Sequence, residues 1–422
     1  MKKIFFSLLL PLLVTAASAG PLEQLRAGLD LPAAPEPAPG ALDYLQGDDR
    51  YWVTVAAEDK YDRTALAEAG LDIVEIQKSR ATGLIRKSAM DALAAKGFIV
   101  KSRQTIQEYA AKHLRDFPAS DAAYHNYKET SETLRRLAAE NPEEVSLFSI
   151  GRTIEGREIW CLRLNPAEKG EAPSARPAAF FMGNHHGREH LSNEVALGLA
   201  EYLLANKSSP EVSKYLDTLD IYIAPMTNPD GAEYDIAAGK YRWHRKNTRV
   251  NPDKSLGVDL NRNYDSLWCQ AGASHYPGAD TYCGPHAFSE PETLAIKKFV
   301  EDRANLKTLM SYHSYSSLIL YPWAGKDTPV EAGRDRKVFE TMAKAMGALT
   351  GYRPQQASDL YVATGDTMDW AYSSKGIFSF TTELEGTTFY PGAAMIGKAV
   401  PGNIKAALYM LNVTADPYRL AL

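Results

Sequence analysis

The chain has 422 residues, a formal net charge of -5, and charged and apolar fractions of 23% and 45%. These are globular values, and the length suffices for two or three domains. No basic run stands out away from the ends, so nothing points to nucleic-acid binding. Residues 1–19 read as an export signal: Lys2 and Lys3, an apolar run over 4–14, then Ala17-Ser18-Ala19 as a cleavage site. The run is too short to span a bilayer, so a secreted or periplasmic product with no stable membrane insertion is expected once it is removed. Export brings oxidising conditions. Cys269 and Cys283 flank a short Gly/Ser/Pro-rich loop and are the expected disulfide, whereas Cys161 lies in an apolar strand and reads as a buried thiol.

Residues 20–48 are a linker, with a Pro/Ala-rich stretch over 31–40. From 49 to 105 the pattern predicts strand 51–55, helix 64–69, strand 71–76, strand 83–86, a helix capped at Ser88 and ended by Gly97, and strand 98–101. The order β-α-β-β-α-β is the ferredoxin-like arrangement. Residues 106–119 are polar, an exposed connector of the kind that proteases nick. Over 120–415 strands and helices alternate, which predicts one α/β domain with a twisted sheet flanked by helices. Its expected pieces include a helix over 124–139, a hairpin over 145–164, a buried strand at 178–182 and a helix to about 205. A strand follows at 219–224, and Asn228-Pro229-Asp230-Gly231 reads as a turn. Ser289-Glu290-Pro291-Glu292 reads as a capping box, strands follow at 307–312, 318–321 and 377–382, and a final helix covers 403–411.

The densest chemistry is Gly183-Asn184-His185-His186-Gly187-Arg188-Glu189-His190, placed just after the buried strand. Ligands of open α/β sheets bind at such strand ends. Two metal readings stand. In one, His186 and Glu189 are both ligands. In the other, His186 and His190 bind the metal and Glu189 is the base, which requires a regular helix that Gly183, Asn184 and Gly187 disfavour. His313, at the end of another strand, is a candidate third ligand. Two histidines, one glutamate and a water form a catalytic rather than a structural zinc set.

Further segments resemble zinc metallocarboxypeptidases of the carboxypeptidase A, B and T type, in the family's order. They are Tyr241-Arg242-Trp243-His244-Arg245-Lys246-Asn247, Gly257-Val258-Asp259-Leu260-Asn261-Arg262-Asn263-Tyr264, the stretch from Asp359 to Trp370, and Phe378-Ser379-Phe380-Thr381-Thr382-Glu383-Leu384. The resemblance covers roughly 120–412 and is closest to the T type. It implies one zinc per chain held by His186, Glu189 and His313, with Asp259 orienting His186. It also implies hydrolysis of the C-terminal peptide bond by a zinc-activated water, with Glu383 as general base and Arg245 stabilising the oxyanion. Asn261, Arg262 and Tyr361 are the implied clamp on the substrate's terminal carboxylate. Arg188, Ser314 and Tyr315 are implied to line a subsite further up the peptide. Met368 takes a position that is apolar in A-like enzymes, and Asp366 one where T-type enzymes carry an acid. Apolar and also basic C-terminal residues are therefore expected. His244 departs from the family by standing where tryptophan is usual, and residues 385–390 receive no role.

Residues 49–105 resemble the activation domain of secreted carboxypeptidases, which implies a zymogen. A monomer acting on peptides or proteins with a free C-terminus is expected. A cell-wall muropeptide peptidase of the same fold and an inactive peptide-binding relative are the alternatives.

Overall fold

A computed structural model describes residues 48–106, 108–109, 121–237 and 241–422. The expected leader, the linker up to residue 47, and the connector apart from 106, 108 and 109 lie outside the described residues.

The N-terminal module is a four-stranded antiparallel sheet carrying two helices. Its elements are β1 (Arg50–Ala56), α1 (Lys60–Glu68), β2 (Asp72–Gln77), β3 (Arg80–Arg86), α2 (Lys87–Ala95) and β4 (Val100–Thr105). The strand order is β2-β3-β1-β4. Val53, Val55, Leu66, Leu71, Ile85 and Leu93 close its core. Helix α1 starts earlier than expected because Asp59 caps it, accepting from the N–H groups of Tyr61 and Asp62. Gly83 of β3 faces the backbone of Asp72, where a Cβ would collide with the Asp72 carbonyl oxygen. The missing side chain lets β2 bend there, and the ladder slips register between Ile73 and Glu75.

The larger sheet contains β5 (Val145–Arg152), β6 (Glu158–Leu164), β7 (Ala178–Gly183), β8 (Asp220–Ala224), β9 (Leu306–Ser314), β10 (Leu318–Tyr321), β11 (Arg353–Gln356) and β12 (Phe378–Leu384). Its order is β11-β10-β12-β9-β7-β8-β6-β5. The centre, β12-β9-β7-β8, is parallel. Central parallel strands are covered on both faces and so read as continuous apolar runs. All six residues of β7 are buried accordingly. Phe180 and Met182 point into a cluster with Tyr222, Phe299, Leu309 and Trp370. Phe181, by the alternation of a strand, faces the other layer and stacks on Tyr312.

The helices of this part are α3 (Tyr127–Glu140), α4 (His190–Ala205), α5 (Pro210–Thr218), α6 (Pro229–Ile236), α7 (Pro291–Glu301), α8 (Arg334–Thr350), α9 (Thr367–Lys375) and α10 (Ala394–Thr414). Helix α10 packs against both α4 and α8, while α7 lies against β5 and α9 against β12. Several expectations are corrected here. The segment 228–231 is not a free turn: Asn228 caps α6, with Pro229 in its first turn. The capping box at 289–292 does not form, because the start of α7 has no side-chain cap and Glu292 turns into the interior. Helix α4 begins directly at His190. Helix α10 runs past the expected 403–411 in both directions and carries Pro401 inside it.

Strands β7, β9 and β12 end side by side. Gly183 pairs with Tyr312, and His313 pairs with Glu383. Their carboxyl ends thus deliver the His186 loop, His313 and Glu383 to one edge of the sheet.

Candidate active site

Loop geometry places the first two ligating groups. After β7 the chain turns through Asn184 with φ of 56°, and the Asn184 amide donates to the His186 carbonyl. His186 and Glu189 then face each other in a non-helical loop, Nδ1 to Oε1 at 2.7 Å. His313 enters from β9, its Nδ1 3.2 Å from His186 Nδ1 and 3.0 Å from Glu189 Oε2. All three side chains are buried. Two imidazole nitrogens meeting a carboxylate at such distances suit a cation between them: tetrahedral zinc with bonds of about 2.0–2.1 Å separates its ligand atoms by roughly 3.4 Å. The other ring nitrogen of His186, Nε2, donates to Asp259 Oδ1 at 3.1 Å, which turns the Nδ1 lone pair inward. His190 Nε2 instead meets Asp235 Oδ2 at 2.8 Å, so its ring is engaged away from this group. The geometry favours the reading with His186 and Glu189 as joint ligands.

Arg245 and Asp259 reach the site from a long loop region. Arg245 Nε donates to Asp259 Oδ2 at 2.9 Å. Burial alone raises the Asp259 carboxyl, but Arg245 and His186 overcome it and hold the group well below the usual carboxylate range. Glu383 lines the cavity and is half-buried there. Burial, with the Glu189 charge, pushes it up to about 8 against the pull of Arg245 and Arg262. A divalent cation beside it acts in the same direction as the two arginines.

Beyond Glu383 the cavity holds a second set of groups. Leu260–Arg262 is a short 3-10 turn capped by Asp259. Arg262 donates from Nε to Gly272 O at 3.0 Å and from Nη2 to the Tyr361 hydroxyl at 3.1 Å. Asn261 lies beside them at the cavity wall. Met368 packs with Leu318, Leu320, Ala324 and Ala357 in an apolar wall. Asp366 caps α9, accepting from the Asp369 N–H at 2.7 Å, and also borders the cavity. Burial and the nearby Asp369 charge raise the Asp366 carboxyl well above its usual range.

Arg188 is fully buried; it pairs with Asp72 and lies over the Phe389 ring at 3.9 Å. Tyr315 packs edge-on against Phe389 at 5.1 Å, and the Ser314 N–H donates to Glu189 Oε2 at 3.1 Å. Phe389 falls in the segment that sequence reasoning left without a role. His244, the family departure, donates its N–H to Asp235 and packs on Tyr234. Cys269 and Cys283 are joined, and Cys161 is free and buried.

The N-terminal module contributes one wall of the cavity. Strand β2 lines the cavity of about 930 Å³ that contains the triad. Asp72, also buried, pairs with Arg188 and stands 3.4 Å from Arg245 Nη1. Arg50 donates to the carbonyls of Arg242 and Trp243 at 2.6 and 2.8 Å, gripping the loop that carries Arg245. Trp52 and Tyr109 stack on each other and meet Trp243 edge-on. Thr64 of α1 exchanges hydrogen bonds with the backbone of Val362, next to Tyr361.

Behind the site, Asn247 ties the Arg245 loop to α7, donating to Glu290 Oε2 at 2.8 Å and Glu292 Oε2 at 3.1 Å. Burial, aided by Glu290 and Asp230, lifts Glu292 from its usual value of 4.5 up to about 7. A raised carboxyl favours the folded state below its unfolded value and loses that contribution as pH climbs through the folded one. Stability is therefore expected to fall between pH 4.5 and 7. Glu292→Gln should remove that slope and be more stable than the parent at pH 8 by up to about 3 kcal/mol. Thermal melts at pH 4.5 and 8 check this; parallel loss in parent and variant excludes Glu292 as the source.

A family model described as zinc carboxypeptidase matches residues 130–406. A zinc carboxypeptidase of Saccharothrix mutabilis subsp. capreolus is 31% identical over 85% of this chain and 87% of its own. Human carboxypeptidase A1 is 33% identical over 69% of this chain and 70% of its own. Among solved structures, carboxypeptidase A of Helicoverpa armigera superposes with a TM-score of 0.71 at 23% identity, over 86% of this chain and 97% of that one, a likeness of fold. With a family model that spans most of the larger sheet, and a convergent triad that suits a single zinc, the chain belongs to the zinc carboxypeptidases and is a zinc-dependent peptide hydrolase.

Proposed function

We propose that the enzyme releases single residues from the C-terminus of peptides, with Glu383 as general base. One observation supports this reading most. A single cavity is bordered by the metal-ligating triad and Glu383, and also by Asn261, Arg262 and Tyr361, a set suited to a free carboxylate. The planar fork of Arg262 can bind a carboxylate through two parallel hydrogen bonds, and Asn261 and Tyr361 supply further donors. A chain held by its terminus there presents its last peptide bond towards the triad. Arg245 stands by to hold negative charge on the carbonyl oxygen. Bound by His186, Glu189 and His313, zinc supplies a polarising charge and lowers the pKa of a coordinated water. Glu383 accepts the proton of the attacking water and returns it to the leaving amine nitrogen.

The apolar wall around Met368 suits apolar C-terminal side chains, and Asp366 gives a basic one a partner. Asp366 is neutral below its raised pKa and charged above it, so the rate ratio of Lys or Arg over Phe termini should rise with pH. Asp366→Asn keeps the helix cap and removes the charge. It should cut release of Lys and Arg by roughly 10- to 100-fold and leave Phe within about twofold, as expected for one charge-assisted bond. Equal loss for Phe and Lys sinks the assignment.

In the same reading, residues 49–105 form an activation domain after a leader at 1–19 and a linker at 20–48. Its cover over the cleft ends when the connector at 106–119 is cut, freeing the catalytic domain at 120–415. The leader supports export, and among the described residues no helix is long and apolar enough to cross a membrane. Arg188, Ser314, Tyr315 and Phe389 would then line the path of the upstream peptide. The test is release of the C-terminal residue from peptides ending in Phe, Leu, Lys, Arg or Glu, using folded protein cut in the connector, with and without a chelator. Chelator-sensitive stepwise release is expected. Cleavage confined to internal bonds, or none with zinc bound, overturns the reading.

A further inference from the structure

The carboxylate clamp rests on a buried hydrogen-bonded chain that runs away from the cleft. Asn261 Oδ1 receives two bonds from Thr367, one from the backbone N–H and one from the hydroxyl, each 3.0 Å. Thr367 Oγ1 lies 3.1 Å from His185 Nε2, and His185 Nδ1 lies 3.1 Å from Ser311 Oγ. The Tyr264 hydroxyl also meets His185 Nε2, at 2.9 Å. Thr367, His185, Ser311 and Tyr264 are each at most 1% exposed. They come from four separate places: the first turn of α9, the loop after β7, strand β9 and the segment following the 3-10 turn.

Proton positions follow from groups that cannot change role. The Thr367 backbone N–H is an obligate donor, so the Asn261 atom facing it is the oxygen. With the Thr367 hydroxyl hydrogen also spent on Asn261, its oxygen faces His185 as an acceptor. His185 therefore carries its proton on Nε2, shared between Thr367 and Tyr264, and its Nδ1 accepts from Ser311. Both lone-pair directions of the Asn261 oxygen are filled from behind. None of these bonds uses the amide nitrogen, which keeps its two N–H donors on a residue that borders the cleft beside Arg262. Rotating the amide would set its NH2 against the Thr367 N–H, donor against donor.

We propose that Thr367, seated by His185, is a positioning residue for the clamp: it holds the Asn261 amide with its donors aimed at the substrate's terminal carboxylate. The inference rests on the reading of Asn261 as a carboxylate ligand. Thr367 reaches neither the triad ligands nor Glu383 by any of these bonds, so its effect belongs to binding of the terminus rather than to the bond-breaking step.

The test uses folded full-length chain cut in the connector and loaded with zinc. Thr367→Val keeps the shape and the backbone N–H but loses the hydroxyl. Losing one hydrogen bond of ordinary strength predicts a KM for a Phe-terminated peptide roughly three- to tenfold higher, with kcat and zinc content within about twofold. The inhibition constant of 3-phenylpropionate, a bare carboxylate probe, should rise by the same factor. Thr367→Ser should restore both. Thr367→Cys, whose thiol is a weak donor, gives the same reading if the valine variant does not fold. Asn261→Ala should raise KM by itself, and adding Thr367→Val to it should change nothing further. Additive effects of the two substitutions, or a fall in kcat at constant KM, overturn the positioning role. An Asn261→Ala variant with unchanged KM overturns the clamp itself and the inference with it.

Discussion

Replacing Glu383 by glutamine is expected to lower kcat about a hundred- to ten-thousandfold, the range a general base contributes, with KM little changed. Zinc content should stay at one per chain, because the triad donors come from the His186–Glu189 loop and from His313, not from β12. The fold should not suffer. The site already disfavours the Glu383 charge, through burial and through Glu189, and glutamine removes that charge without changing shape. Kinetics on a Phe-terminated peptide, elemental analysis and a thermal melt separate the cases. Lost zinc together with lost activity makes Glu383 a structural support of the metal site. Retained activity with retained zinc removes it from the mechanism and leaves the proton to another group.

The second large effect concerns the N-terminal module. Cutting the connector and removing the module should raise the rate on peptides of several residues by about a thousandfold. A tethered segment faces its target at an effective concentration on the order of 1 mM, so even micromolar affinity suppresses the site by roughly that factor. The cover is both electrostatic and apolar: Asp72 pairs with Arg188 near Arg245, while Trp52, together with Tyr109 of the connector, packs on Trp243. Asp72→Ala in the uncut chain removes only the first part and should recover a small share of the activity. Assays of the uncut chain, the cut chain and the uncut Asp72→Ala variant give the comparison. An uncut chain as fast as the cut one rules out the activation-domain reading.

The legible parts of the chain were those in which local chemistry and fold agree. The wholly apolar β7 could be read because a central parallel strand has no polar face to hide. The His186 loop could be read because glycine and asparagine mark a non-helical turn at a strand end. Glu292 was misread for a physical reason. A carboxylate three residues after a serine looks like a cap reaching back, but in the structure it turns inward to Asn247, a partner 45 residues away in sequence. Helix α6 was missed because Asn-Pro-Asp-Gly is at once a turn signature and an N-cap with proline in the first turn, and only packing chooses between them. Asp72 carries no local signal at all. Its place depends on how the module docks, and the nearest hint was Gly83, whose missing side chain makes room for the bend at Asp72. Thr367 carries no local signal of its role because its bonds run to Asn261 and His185, both distant in sequence.

The side-by-side ends of β9 and β12 have a consequence for how such an enzyme can change over time. His313 and Glu383 sit opposite each other on one rung between neighbouring strands. Inserting or deleting one residue in β12 would send Glu383 to the far face of the sheet and offer Thr382 or Leu384 to the cleft instead. His313 and Glu383 are therefore fixed by backbone pairing, which tolerates no slippage, while Met368 on α9 and Asp366 at its cap stand outside that ladder. Under the proposed function, substitutions at Met368 or Asp366 can change the preferred C-terminal residue while the His313–Glu383 pairing stays in place.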